Sequence, residues 1–64
     1  PTTVVQLIAM AGGLNEFADD RRIAVLRIER GYAMSYAFNY REVARRINLR
    51  QNIPLLPGDT VIVP

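Results

Sequence analysis

The sequence predicts an α+β fold, one small sheet packed on two short helices, and three observations carry that expectation. Thr3 to Gln6 and Asn39 to Glu42 each have the side chains of a helix start. Residues 23–38 hold two β-rich runs, the second alternating bulky with small side chains. Pro57-Gly58, a turn pair, stands shortly before the uncharged run Thr60 to Val63.

In chain order, Thr3-Val4-Val5-Gln6 fits a capping box, in which a threonine hydroxyl and a glutamine three residues on satisfy orphan amides. Val4, Leu7, Ile8 and Ala11 then recur at helical spacing, so a helix is expected over residues 4–11. Gly12-Gly13 supply the left-handed position that ends it, with Leu14 folding back as the hydrophobic contact. Asn15 to Asp20 reads as a loop. Ile23 to Ile28 and Tyr32 to Phe38 read as strands, and Glu29-Arg30-Gly31 between them suggests an antiparallel hairpin. The bulky even-numbered face of the second strand (Tyr32, Met34, Tyr36, Phe38) is expected to point at the core. Asn39 caps a second helix, whose apolar stripe is Tyr40, Val43, Ala44 and Ile47. Asn52 to Leu56 is a short extended piece that Pro54 confines to an edge, Pro57-Gly58 forms a type II turn, and Thr60 to Val63 is the last strand.

Composition limits what such a chain can do. With 64 residues it makes one domain at most, and no apolar run approaches the roughly 18 residues of a membrane span. Cysteine and histidine are both absent, which removes disulfides, thiolate metal sites and the commonest general base. All eight basic residues are arginine, and six carboxylates leave a net charge of +2, too small to point by itself to nucleic acid.

Three stretches in order, VVQLIAMAGGL, IAVLRIERG and NIPLLPGDTVIVP, resemble the soluble-ligand-binding β-grasp (SLBB) domain of the bacterial polysaccharide export proteins. The resemblance implies a β-grasp arrangement with a small mixed sheet. Domains of that family open with a strand and a G-x-V-x-x-P-G turn before the first helix, whereas Pro1-Thr2-Thr3 leads directly into the helix cap here. Residues 1–64 are therefore expected to be a single, partial domain excised from a longer chain, lacking its first strand or hairpin, and weakly stable or self-associating through an open edge. The resemblance further implies a periplasmic or outer-membrane setting and a homo-oligomeric ring in the parent protein. It implies export of capsular or extracellular polysaccharide with other export-machinery subunits, and membrane contact only through the parent.

Sugar contact needs flat aromatic faces and multidentate donors, and the candidates are Arg27, Arg30, Tyr32 and Tyr36. A plainer reading sits beside each: the tyrosines as core residues with hydroxyls at its rim, the arginines as solvated strand and turn charges. An alternative function is nucleic-acid binding through an arginine face on the second helix, formed by Arg41, Arg45 and Arg46 with Arg50 just beyond. A purely structural assembly module is a further reading. Catalysis is not expected: Asp19-Asp20 has no accompanying nucleophile or base, and Gly12-Gly13 follows a helix instead of opening one. No cofactor and no metal are expected.

Overall fold

A computed structural model describes every residue from Pro1 to Pro64. Helix α1 (Val4–Met10) begins at Thr3 with both halves of the capping box formed: the Gln6 amide donates to Thr3 Oγ1, and the Thr3 amide donates to Gln6 Oε1. It ends in a Schellman motif. The Gly13 amide reaches Ile8 O at 2.8 Å, the Gly12 amide reaches Ala9 O at 3.1 Å, and Gly12 takes φ 95°.

Strands β1 (Ile23–Glu29) and β2 (Tyr32–Phe38) pair antiparallel from Ile23↔Phe38 to Glu29↔Tyr32. Their loop is Arg30-Gly31, and both residues have positive φ (51° and 82°), the signature of a type I′ turn whose twist matches the strands it joins. Strand β3 (Thr60–Ile62) pairs antiparallel with the opposite edge of β1, giving the order β2-β1-β3. The α+β class is as the sequence predicts, and every strand pairing among these residues is antiparallel.

Helix α2 (Tyr40–Ala44) starts where Asn39 Oδ1 accepts from the Glu42 amide at 3.1 Å. It is shorter than its apolar spacing suggests. Arg46 adopts φ 60°, and the Arg46 and Ile47 amides close a second Schellman motif on Val43 O and Glu42 O. Ile47 is therefore carried past the helix and lies exposed.

A 3₁₀ turn, Leu49–Gln51, leads into residues 52–55, which run beside the start of α1. Asn52 Oδ1 accepts from the Val5 amide at 3.0 Å, Ile53 O accepts from the Val4 amide, and the Leu55 amide donates to Thr2 O. Gln51 binds the other helix, accepting from the Asn39 amide and donating to Glu42 Oε1. Pro57-Gly58 then turns the chain, with Gly58 at φ 91° and the Asp59 amide donating to Leu56 O.

The core is Val4, Ile8, Ile23, Val25 and Phe38, all at one end of the sheet, with Leu14, Tyr36, Val43, Leu55 and Val61 packed around it. The expectation that the whole even-numbered face of β2 is buried is corrected here. Phe38 is buried and Tyr36 half-buried, but Met34 is 42 % and Tyr32 74 % exposed. The cause is length. A seven-residue helix runs about 10 Å and a seven-residue strand about 23 Å, so neither helix reaches the hairpin end.

Candidate functional site

Alternation puts Arg27 and Glu29 of β1 on the same face as Tyr36, Met34 and Tyr32 of β2, just beyond the core. Four polar side chains interlock there. Arg27 Nε and Nη2 donate to the two carboxylate oxygens of Asp59 at 3.0 and 2.7 Å, and Nη2 also donates to Pro54 O at 3.0 Å. The guanidinium lies over the Tyr36 ring, 5.3 Å from its centroid, and the Tyr36 hydroxyl donates to Glu29. Asp59 accepts a further bond from the Leu56 amide at 2.8 Å.

The side chains of Arg27 and Asp59 are 15 % and 3 % exposed, so this is a bidentate ion pair largely withdrawn from water. The hydrogen bond from Arg27, reinforced by the Leu56 amide, holds the Asp59 carboxyl below the usual carboxylate range. Its hydrogen bond to Asp59 raises the already high pKa of Arg27. Hydrogen bonding to Glu29, with some desolvation, pushes the Tyr36 phenol up.

Of the four candidates named from sequence, the structure brings Arg27 and Tyr36 into contact. Arg27 is not a solvated strand charge: its donors already engage Asp59 and the Pro54 carbonyl, and it ties the turn at 56–59 to β1. Arg30 sits at the hairpin tip, and Tyr32 lies next to it on the open end of the face. The residue missed by the sequence reading is Asp59. Its signal was the aspartate closing the L-x-P-G-D stretch, three residues after Leu56, where a carboxylate can fold back on the turn's first amide.

The arginines proposed as a helical face are differently arranged. Arg41 lies 3.5 Å from Asp20, Arg45 caps the five-residue α2, and Arg46 is already in the left-handed region, so the four do not share a continuous helical stripe.

Two other features bound the molecule's contact surface. An apolar cleft of about 260 Å³ lies between α1 and β3, lined by Leu7, Ile8, Ala11, Leu14, Val61 and Val63. The sheet face turned away from the helices carries only uncharged side chains, among them Leu26, Ile28, Ala33, Ser35, Ala37 and Ile62. No helix is long and apolar enough to cross a membrane.

Fold and site together describe a small α+β domain in which Arg27 and Asp59, largely withdrawn from water, are engaged with each other and which leaves Tyr32 and Met34 uncovered at the hairpin end. Comparison with protein families gives that description a lineage: the SLBB domain matches residues 1–38, and the chain belongs to that family. SLBB domains are ligand-binding domains found in polysaccharide export proteins. No curated protein and no solved structure matches the chain.

Proposed function

We propose that this chain is a contact domain of a polysaccharide export protein of the periplasm or outer membrane, joining neighbouring subunits and presenting the hairpin end to capsular or extracellular polysaccharide. One observation carries the reading. The hairpin end of the sheet leaves Tyr32 and Met34 uncovered on a face whose other end is a packed core. An exposed aromatic and apolar patch continuous with a core marks a surface that something else covers. Arg30, Tyr32 and the rim of Tyr36 are the groups that would meet a sugar, while Arg27 holds the scaffold beneath them. Subunit contact is favoured over sugar contact, because the best-placed donor fork, on Arg27, is already engaged. In the parent chain, the free edge of β3 and the apolar cleft beside it suit an additional strand of a β-grasp sheet.

The test replaces Tyr32 and Met34 together by serine in the parent export protein, with circular dichroism as the check on folding. Loss of ring assembly and of surface polysaccharide is the expected result. Unchanged assembly and export overturns the reading. Titration of the chain with uronic-acid oligosaccharides, followed by the Tyr32 and Tyr36 ring resonances, separates the roles: shifts at both rings establish sugar contact, and no shift assigns the surface to subunits alone.

A further inference from the structure

We propose that residues 45–50 are a membrane-surface contact, in which Ile47 and Leu49 enter the headgroup boundary of an anionic bilayer while Arg45, Arg46 and Arg50 bind its lipid phosphates. This goes beyond the export reading and does not depend on it. It gives the domain a membrane contact of its own, where the family resemblance implies one only through the parent.

Charge is unevenly spread along the chain. Ion pairs with Asp19, Asp59 and Asp20 occupy Arg22, Arg27 and Arg41, and five arginines are left without one. Three of those five fall within residues 45–50, and no carboxylate lies between Glu42 and Asp59. Glu42 itself is engaged, its Oε1 accepting from Gln51 Nε2 at 3.1 Å. A guanidinium without a protein partner is a free fork for phosphate oxygens.

The backbone sets two aliphatic side chains among these arginines. Arg46 and Asn48, on either side of Ile47, both take left-handed φ, 60° and 50°. Side chains seldom adopt that conformation, and it gathers at functional positions. Residues 44–50 are all exposed, Ile47 by 52 % and Leu49 by 54 %. Gln51 fixes the stretch to the start of α2: its Nε2 also donates to Asn48 O at 3.0 Å, and its Oε1 accepts from the Asn39 amide.

That combination selects the partner. A nucleic acid or an acidic glycan offers charge but little hydrocarbon to Ile47 and Leu49. A phospholipid surface offers both, with phosphate at the level of the guanidinium groups and acyl chain just beneath. The hairpin end also exposes apolar groups, but its one unpaired arginine, Arg30, adjoins Glu29. No helix is long and apolar enough to span the bilayer, so the contact is peripheral.

The test sediments the full chain at low salt with vesicles of equimolar phosphatidylglycerol and phosphatidylcholine. The chain is expected to pellet with them and to stay in solution with phosphatidylcholine alone. Each arginine near an anionic surface strengthens binding roughly fivefold, so Arg45→Gln with Arg50→Gln is expected to weaken it about twenty-five-fold. High salt screens the same charges and is expected to release the chain. Ile47→Ser with Leu49→Ser keeps every charge and is expected to weaken binding roughly tenfold or more, with circular dichroism as the check on folding. The chain has no tryptophan, so Ile47→Trp places a single reporter, which keeps the test intact if the serine pair unfolds. Its emission is expected to move to the blue on vesicles, while that of Tyr32→Trp, about 20 Å along β2 from Phe38, stays aqueous. Failure to pellet at low salt, or a blue shift at Tyr32→Trp and not at Ile47→Trp, overturns the proposal. So does pelleting that the serine pair leaves unchanged while a soluble oligouronate or single-stranded DNA displaces the vesicles, an outcome that assigns the arginines to a polyanion.

Discussion

Asp59 is the residue on which most of the site's polar geometry converges. It accepts from two nitrogens of Arg27 and from the Leu56 amide, and so binds the last turn to the central strand. Because its carboxyl is held below the usual range, folding favours the ionised form, and its contribution is present above about pH 4 and lost as pH falls through the depressed value. Asp59→Asn is expected to lower the melting midpoint at pH 7 and to flatten its acid limb, as thermal melts from pH 2 to 7 would record. Tyr36 acts at the other extreme. Its phenol is raised, so its contribution is full below about pH 10 and disappears as pH rises through the folded value. The Asp59 effect could not be read along the sequence, since Arg27 and Asp59 are 32 residues apart and the β1 to β3 pairing brings them together. The Tyr36 ring was legible as half-core, and its cation neighbour was not.

At the scale of elements, the caps were the most legible features, because capping chemistry is local. Thr3 with Gln6, Gly12 with Gly13, and Asn39 with Glu42 all act within a few residues of one another, and each forms as its spacing implies. The length of α2 was not legible. Its stripe of Tyr40, Val43, Ala44 and Ile47 continues past the point where the chain turns out at Arg46, a non-glycine residue at φ 60°. A side chain in that conformation costs roughly 1 kcal/mol. Arg46→Gly is therefore expected to stabilise the chain by about 1 kcal/mol in urea titration. A destabilisation would mean that the arginine side chain holds the helix end in a way the backbone does not require.

Across the whole molecule, the two ends of the chain depend on each other. The SLBB match ends at residue 38, yet the amides that open α1 are satisfied by Asn52 and Ile53, and the Asn39 amide by Gln51. Asn52→Ala leaves the Val5 amide without its acceptor across a separation of 47 residues and is expected to cost about 1 kcal/mol, read as a lower urea midpoint with an unchanged slope. The sequence indicated this segment as an edge piece through Pro54, but an asparagine capping a distant helix looks the same in sequence as one in a loop. The uncovered hairpin was missed for a different reason. Alternation along β2 identifies which side chains share a face, and only the lengths of the opposing helices decide how many of them are covered.

The strand order carries a consequence for folding. β1 is the middle strand, and one of its partners lies far along the chain, after both helices. Until β3 docks, Ile23 to Glu29 is paired on one side only, and Arg27 lacks its carboxylate. Closing that long loop is the slow, entropically opposed step. Until it happens, a foreign strand can take the place reserved for Thr60 to Ile62, so refolding from dilute solution is expected to return more native chain than refolding from concentrated solution.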